Sequence, residues 1–371
     1  MTKLIDICDI QYGYAFDSAC FTEDDSYLPL VRIRDVKRGF SETFYSGEYP
    51  EEYVIHKGDL IVGMDGEFNI ARWKSIDALL NQRVCKLKAK EGTNEEYLRF
   101  ALVKALKTIE DKTAFVTVKH LSAKELNKLE LDMPGIEEQN VRAESMAKLE
   151  KVISYRKEEL SALDNLIKAR FVEMFGSIHE SKKYPYIAVK GLADVISGGT
   201  PSREKAEYWD NGTIPWVKTT ELQNNVIVEV DECITEAGLS GSSAKLVPKG
   251  TVLVAMYGQG KTRGMTAYLG IEATTNQACA CILPSDKIDS MFLWKYFELS
   301  YDKLRSLAQG AGQPNLNGNM IKSFPVLVPP IEMQKEYIDF VNQVDKSKVA
   351  VQKALDETQM LFDSLMQEYF N

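Results

Sequence analysis

Two long stretches of the chain carry apolar residues three and four positions apart, which is the spacing of an amphipathic helix. The first follows Gln139 and ends at Phe175, and the second follows Gln334 and ends at Phe370, so each has 36 residues after its glutamine. At the usual rise of ~1.5 Å per residue, each predicted helix is about 55 Å long. Because two equal apolar seams can cover each other, we expect antiparallel, coiled-coil-like pairing. The alternative is that each helix packs only on its own globular segment.

The predicted seam also defines the residues expected to pair the helices or to bind partner subunits. It has polar interruptions, as a heptad-like repeat often does. Its members are Leu149, Ile153, Leu160, Leu163 and Ile167 in the first helix, and Val344, Val351, Leu355, Phe362 and Leu365 in the second.

The segments that precede the two helices have the patterns of β-rich domains. Short apolar runs at 59–64 and 251–256, each after a Lys-Gly turn, predict buried strands. Alternating runs at 82–87 and 278–283 predict half-buried strands, and helical spacing recurs at 95–109 and 290–307. Each globular segment is therefore predicted to be α+β.

The chain repeats this organisation about 195 residues later. Pro134-Gly-Ile-Glu-Glu-Gln139 returns as Pro329-Pro-Ile-Glu-Met-Gln334, and Asn81-Gln82 returns as Asn276-Gln277. We therefore expect an internal repeat with a pseudo-twofold axis, in which two long helices separate two β-rich domains. The predicted segments are a first domain at 1–136, a first helix at 137–176, a second domain at 177–330 that opens with a linker at 177–186, and a second helix at 331–371.

Composition changes this prediction little. The apolar share of 44% is that of a globular protein, and no apolar run approaches the ~20 residues that span a bilayer. Six cysteines without metal-binding spacing and three scattered histidines predict a reduced, cytoplasmic protein with no metal site. The net charge is −9, with −1 on residues 137–175 and −4 on 332–370. The globular segments are therefore nearly balanced, and each can hold a basic face.

One motif suggests an enzyme. Residues 255–262 end in Gly260-Lys261-Thr262 after a predicted strand, which almost matches a phosphate-binding loop. A phosphate-binding loop must open a helix, however, and the residues that follow have strand and turn character. A P-loop NTPase that uses Lys261 and Thr262 is kept as an alternative.

A set of polar and basic turn residues has the chemistry needed to contact DNA, because Arg, Lys, Asn, Gln and Thr bind phosphates and base edges. The candidates in the first domain are Arg32, Arg34, Lys37, Arg38, Asn69, Arg72, Lys74 and Lys119. Those in the second are Thr200, Ser202, Arg203, Lys218, Thr219, Thr220, Tyr257, Gln259, Lys261, Thr262, Arg263, Gln313 and Asn315. No catalytic residue is predicted.

Several strings, in this order and in duplicate, resemble the specificity subunit of type I restriction–modification systems over essentially the whole chain. They include Leu28-Pro-Leu-Val-Arg-Ile-Arg-Asp35 in the first domain, and Ser197-Gly-Gly-Thr-Pro-Ser202 and Ile214-Pro-Trp-Val217 in the second. They also include the Pro-x-Ile-Glu-x-Gln string that ends each domain where its long helix follows.

The resemblance implies a non-catalytic subunit. Each of its two target-recognition domains would read one half of a split sequence in double-stranded DNA, and the paired helices would fix the unread spacer. Two methyltransferase subunits would bring S-adenosylmethionine and methylate adenine N6, and two restriction subunits would bring ATP-driven translocation. The chain itself would bind no cofactor. Because the loops of the two domains differ, we expect a non-palindromic target.

Two further functions fit the same pattern. One is the specificity subunit of a fused nuclease–methylase system, and the second is a protein-interaction scaffold without a DNA role.

Overall fold

The structure is a computed structural model that describes residues 1–112, 120–258, 260–308 and 315–370. The chain forms two compact units, one of Met1–Glu158 with Val351–Asn371 and one of Glu159–Ala350. Each long helix therefore contributes one part to each unit. These two units each combine a globular part with parts of both long helices, whereas the four predicted segments separate the helices from the globular parts. The boundaries of the predicted segments stay a prediction.

The first unit combines helices with a mainly antiparallel main sheet, as the predicted α+β class requires. Its strands are β1 (Thr2–Lys3), β2 (Cys8–Tyr12), β3 (Phe21–Thr22), β4 (Leu28–Val31), β5 (Phe44–Tyr45), β6 (Val54–Ile55), β7 (Leu60–Gly63), β8 (Ile70–Arg72), β9 (Ala78–Leu80), β10 (Val84–Ala89) and β11 (Glu130–Leu131). Its helices are α1 (Leu4–Ile7), α2 (Ile33–Arg38), α3 (Glu95–Lys112), α4 (Ala123–Lys128) and the first part of α5 (Ile136–Phe175).

The second unit repeats the same classes of element. Its strands are β12 (Tyr186–Ala188), β13 (Val195–Ser197), β14 (Ile214–Val217), β15 (Asn225–Ile227), β16 (Cys233–Ile234), β17 (Val252–Ala255), β18 (Thr266–Leu269), β19 (Thr274–Thr275), β20 (Cys279–Ile282) and β21 (Pro325–Leu327). Its helices are α6 (Val189–Leu192), α7 (Glu236–Ser240), α8 (Ser290–Leu299), α9 (Tyr301–Ser306), α10 (Gly318–Ser323) and the first part of α11 (Ile331–Tyr369).

The two units share strand order and register. The main sheet is β2-β10-β7-β8 in the first unit and β13-β20-β17-β18-β15 in the second. In these sheets β7 and β17 pair antiparallel with β10 and β20, and Val62↔Cys85 occupies the same place as Val254↔Ala280. In both units a second sheet contains one parallel pair, β4 with β9 and β14 with β19. The internal repeat predicted from sequence is therefore confirmed at the level of strand pairing.

Within each unit, α5 and α11 run antiparallel and pack on each other. In the second unit the Phe175 and Tyr337 rings lie 5.7 Å apart, and Asp164 pairs with Lys348 at 2.6 Å. In the first unit Arg142 donates a hydrogen bond to the Tyr369 carbonyl at 2.8 Å. Residue numbers rise along one helix as they fall along the other, which is the expected antiparallel order.

The predicted seam residues follow this pairing, and the helices also pack on the globular parts. Ile167 and Val344 lie in one buried cluster with Phe292 and Tyr296 of α8. Among the other members, Ile153, Val351 and Leu355 are buried, whereas Leu149, Leu160, Leu163, Phe362 and Leu365 are half-buried. Both predicted arrangements therefore occur together. Part of the buried surface of each long helix packs on the other long helix, and part packs on the globular part of the unit, for example on α8.

The sequence pattern placed most elements correctly. The predicted helix at 95–109 is α3, and the long helices begin at Ile136 and Ile331. The predicted helix at 290–307 is two helices, because the chain breaks at Ser300, which caps the end of α8. In the described part of the chain, no helix is both long and apolar enough to cross a membrane.

Candidate nucleic-acid interface

Three loops of the first unit meet at one edge of its main sheet. They are the β7–β8 hairpin loop, the turn between β9 and β10, and the segment that leads into α4. Two backbone hydrogen bonds join them: Met64 N–H donates to the Arg83 carbonyl at 2.8 Å, and Leu121 N–H donates to the Met64 carbonyl at 2.7 Å. Sequence-distant polar residues are therefore brought to one place.

Arg32 and Arg34 line an open cleft of about 370 Å³ at this edge, together with Asp65, Gly66, Glu67 and Asn69. The backbone N–H of Arg32 donates to Asp35 Oδ2 at 3.0 Å, which fixes the start of α2. The Arg34 side chain is 60% exposed, and its two contacts here are long: an ion pair with Asp35 at 3.8 Å and a hydrogen bond donated to Thr43 Oγ1 at 3.4 Å. The cleft thus presents one well-exposed guanidinium and one half-buried arginine.

The remaining cations of this region are partly paired with carboxylates. Arg38 binds Glu42 at 2.7 Å, and Lys37 lies 3.7 Å from Glu67 with both side chains exposed. Lys74 is exposed, and its backbone N–H donates to Gly39 O. Exposed pairs of this kind contribute little to stability and can exchange a carboxylate for a phosphate.

The structure argues against one predicted contact. Arg72 binds Glu95 at 2.8 Å, also pairs with Glu96, and donates to the Gly58 carbonyl at 2.8 Å. Its guanidinium ties β8 to the start of α3, and its strand position lies beyond the hairpin loop that holds Asn69. Arg72 therefore has a clear role in the fold, and its contact with DNA stays a prediction.

The second unit assembles the equivalent edge through equivalent bonds. Met256 N–H donates to the Ala278 carbonyl at 2.8 Å, and Leu316 N–H donates to the Met256 carbonyl at 3.0 Å. Gly198 belongs to the same edge, where a Cβ atom would lie 2.1 Å from Thr275 Oγ1. Only glycine allows this close approach, which explains the Ser-Gly-Gly-Thr string.

Arg203 and Lys218 meet around one carboxylate. Arg203 Nη1 lies 2.5 Å from Glu232, and Lys218 Nζ lies 3.1 Å from Glu232 and 3.2 Å from Asp231. The Arg203 hydrogen bond is the main cause that lowers the pKa of Glu232, and Glu232 in turn raises the pKa of Lys218. Arg203 also stacks on Trp209, 3.6 Å from the ring centroid. Both cations are therefore preorganised on the surface and partly neutralised.

The Gly-Lys-Thr segment forms a β-hairpin loop. It connects β17 to β18, which pair antiparallel, so no helix begins after Thr262. A P-loop NTPase is therefore not favoured. The loop is held by α9: Arg305 donates to the Arg263 carbonyl at 2.7 Å and to Gly260 O at 2.9 Å, and the Tyr301 hydroxyl donates to Lys261 O at 2.7 Å.

The other predicted contacts of the second unit lie on nearby surface segments. Thr200 Oγ1 hydrogen-bonds Gln277, and Asn315 is half-buried beside Leu316. The remaining members in the described part are exposed or half-buried: Ser202, Thr219, Thr220, Tyr257, Lys261, Thr262 and Arg263. Lys119, Gln259 and Gln313 lie outside the described residues.

Several residues at these edges are not predicted from the sequence. In the first unit they are Asp65, Arg83 and His120, which contact one another, and in the second they are Tyr301 and Arg305. Arg83 directly follows the repeated Asn-Gln pair, so its position in a repeated turn was the available signal. Nothing in the local sequence links Arg305 to the Gly260 and Arg263 carbonyls, which lie 45 and 42 residues earlier.

The described residues include no group of three His, Cys, Asp or Glu side chains arranged to hold a metal ion. The described cysteines are all free thiols, and Cys8, Cys85, Cys279 and Cys281 are buried. Burial raises the pKa of Cys8 to about 11 and that of Cys85 to about 12. Neither site is suited to thiolate chemistry.

Comparison with known proteins gives one consistent family. Residues 1–165 and 181–358 match the family model of the type I restriction modification DNA specificity domain. The EcoBI specificity subunit from Escherichia coli is 41% identical over 163 residues, which are 44% of this chain and 34% of that relative. The match thus spans about a third of that relative's length. The MjaVIII specificity subunit from Methanocaldococcus jannaschii is 20% identical over 364 residues, which are 90% of this chain and 84% of the relative.

A solved structure shares the fold. It is the S subunit of a type I restriction–modification system from M. genitalium, with a TM-score of 0.61 and 14% identity, and the alignment covers 100% of this chain and 95% of that chain.

Proposed function

Because this chain belongs to the family of type I restriction modification DNA specificity domains, we propose that it recognises a bipartite, non-palindromic DNA target. Each unit would read one half-site in the major groove. Cations at the loop edges would neutralise phosphates, and a few side chains per unit would discriminate bases. The observation that carries the proposal is that both units have an equivalent edge where loops meet. Matching backbone hydrogen bonds form this edge in each unit, and the two edges carry different side chains.

The difference between the two edges supports a non-palindromic target. The first edge offers Arg32 and Arg34 around an open cleft, whereas the second offers the Arg203–Lys218 cluster and a loop with Lys261. Two identical half-sites would call for the same side chains at equivalent positions. Unequal side chains on one backbone framework fit two different half-sites.

We further propose that the chain is a non-catalytic scaffold in the cytoplasm. It would assemble with two methyltransferase subunits that use S-adenosylmethionine to modify adenine N6, and with two restriction subunits that use ATP. Exposed apolar residues on α5 and α11, among them Val141, Tyr155 and Val349, support partner binding along the helices.

Mapping of modified adenines in cells that express the chain with its methyltransferase tests the proposal. We expect a motif of two specified parts separated by a fixed unread stretch. Arg34→Ala should relax one half and Lys261→Ala the other. Lys88→Ala and Lys190→Ala, which remove exposed cations away from the loop edges, are the matched controls and should leave the motif unchanged. Modification that does not depend on the chain, or equal changes in both halves for each variant, would refute the proposal.

A further inference from the structure

Arg83 stands at the centre of the first unit's loop edge. We propose that it reads a guanine in the half-site bound by this unit, and that Asp65 and His120 position its guanidinium. The inference rests on the proposed function and adds a specificity residue with a defined base.

The backbone places Arg83 where the three loops meet. It lies in the turn between β9 and β10, and its carbonyl accepts the hydrogen bond from Met64 N–H. Asp65 follows Met64 and also lines the cleft that contains Arg32 and Arg34. The Arg83 side chain is 51% exposed, so it starts from a rigid site and still reaches solvent.

Two neighbours orient the guanidinium. Its Nη1 lies 3.4 Å from Asp65 Oδ1 and 3.0 Å from His120 Nδ1, and His120 Nδ1 lies 2.5 Å from the same carboxylate oxygen. An Nδ1–H that donates to Asp65 holds this carboxylate against the guanidinium, so His120 acts on Arg83 through Asp65 and by contact rather than as an acceptor. Both contacts that the described residues make with this guanidinium use Nη1. Arginine carries five N–H donors in a fixed fork, so a pair of donors remains for a ligand.

The backbone conformation is unusual for an arginine. Arg83 has φ of 71°, in the left-handed region, where the other described non-glycine residues are Asn211 and Asn224. Asparagine adopts this backbone conformation more readily than other residues with a side chain, and arginine has no such preference for it. Glycine would satisfy the same turn with less strain, so the presence of arginine points to a use for its side chain.

Guanine is the base that matches this group. A guanidinium fork binds guanine O6 and N7 together in the major groove, and this geometry distinguishes guanine from the other bases. The equivalent residue of the second unit is Ala278, whose carbonyl accepts the matching bond from Met256 N–H. The guanine contact therefore belongs to one half-site and has no counterpart at this position in the other.

The test uses the full chain purified with its methyltransferase and DNA duplexes of the mapped motif. Each guanine of the two half-sites is replaced in turn by 7-deazaguanine, which lacks the N7 acceptor, or by inosine, which keeps both O6 and N7. For the unsubstituted protein, 7-deazaguanine at one position should weaken binding about 5-fold or more, up to the ~150-fold of a complete bidentate contact, because it removes one of the two acceptors. Inosine at that position should leave binding close to its original strength.

Arg83→Gly is the main variant because glycine suits the turn and the fold should persist. Its affinity for the unmodified duplex should fall by a similar factor, and 7-deazaguanine at that position should not lower this affinity further. Arg83→Lys keeps the charge but not the fork, so it should also lose the discrimination. His120→Ala should reduce the same discrimination in part, and Lys88→Ala should not change it.

Two kinds of failure are distinguishable. If the unsubstituted protein selects no bipartite motif, the proposed function is wrong. If it does, but Arg83→Gly binds the duplexes as the unsubstituted protein does, or weakens binding while every 7-deazaguanine effect persists, Arg83 does not read a base and the inference is overturned.

Discussion

The Gln334 carboxamide oxygen accepts a hydrogen bond from the backbone N–H of Asp289 at 2.9 Å. Its nitrogen donates to the Pro329 carbonyl at 2.7 Å, and the side chain is 1% exposed. In the first unit Gln139 makes the same pair of bonds, to Asn94 N–H at 2.9 Å and to the Pro134 carbonyl at 2.8 Å. The repeated glutamine therefore ties the start of α5 to the start of α3, and the start of α11 to the start of α8.

Gln334→Ala should lower the free energy of unfolding by about 1–3 kcal/mol, because it leaves the part-buried N–H of Asp289 and the buried carbonyl of Pro329 without this partner. Gln334→Glu should also be destabilising, since a carboxylate accepts from Asp289 but faces the Pro329 carbonyl without a proton to donate. Chemical denaturation measures both. Gln343→Ala, which truncates an exposed glutamine on the same helix, is the control. Equal stability of the Gln334 and Gln343 variants would contradict the assigned role.

How much the sequence could predict depends on the distance between interacting residues. The helices, the main strands and the repeat follow from local periodicity and from turn residues. The Pro-x-Ile-Glu-x-Gln string is recognisable as a repeat, but its reason lies in a bond that spans 45 positions. Likewise, Arg72 has the local pattern of a surface cation because its carboxylate partners lie 23 and 24 positions later. Contacts at such range are set by strand and helix packing, which local patterns do not encode.

Substitution of Arg72 should mainly reduce the stability of the fold, whereas substitution of Arg34 should mainly reduce DNA binding. Arg72→Ala breaks the link between β8 and α3, removes the cation that binds Glu95 and leaves Glu96 with Arg99 alone. We therefore expect a loss of about 1–3 kcal/mol in unfolding free energy. Arg34→Ala should leave that free energy nearly unchanged, because the exposed Arg34 side chain makes long contacts with Asp35 and Thr43.

The salt dependence of duplex binding provides the second measurement for this pair. Arg34→Ala should reduce the slope of log K against log salt by about 1 if the side chain binds a phosphate. Folded Arg72→Ala should keep the original slope. The reverse pattern would favour Arg72 over Arg34 as the DNA contact.

Acid should destabilise the first unit through Glu96. Burial alone would raise the pKa of Glu96, but Arg99 and Arg72 outweigh burial and hold that pKa below its ordinary value of 4.5. A carboxyl whose folded pKa is lowered stabilises the fold above its unfolded pKa, and this contribution disappears as pH falls through the folded value. We therefore expect thermal stability to decline below about pH 4.5.

Glu96→Gln provides the comparison for this acid effect. The variant should be less stable at neutral pH and should show a shallower decline below that pH, because its amide does not titrate. Melting temperatures from pH 7 down to pH 3 test this. A parallel decline in both proteins would show that other carboxyls dominate.

Arg305 should control the order of the hairpin loop that carries Lys261. Arg305→Ala removes the donors that bind the Gly260 and Arg263 carbonyls. The loop has positive φ at Gly258, Gly260 and Gly264, so its backbone relies on these external bonds for a single conformation. We expect faster hydrogen exchange in the loop and weaker discrimination in the second half-site, with the first half-site unchanged. Lys303→Ala, an exposed cation on the same helix, is the control.

The cysteines should divide into reactive and protected classes. Burial raises the pKa of Cys281 to about 11 and raises that of Cys279 as well, so little thiolate forms there at neutral pH. Cys20 and Cys233 are only half-buried. Iodoacetamide at pH 8 should therefore label Cys20 and Cys233 in the native protein, and all six thiols after denaturation. Rapid native labelling of Cys279 or Cys281, read by peptide mass spectrometry, would mean that the second unit opens locally and exposes an interior strand, because β20 lies between β13 and β17.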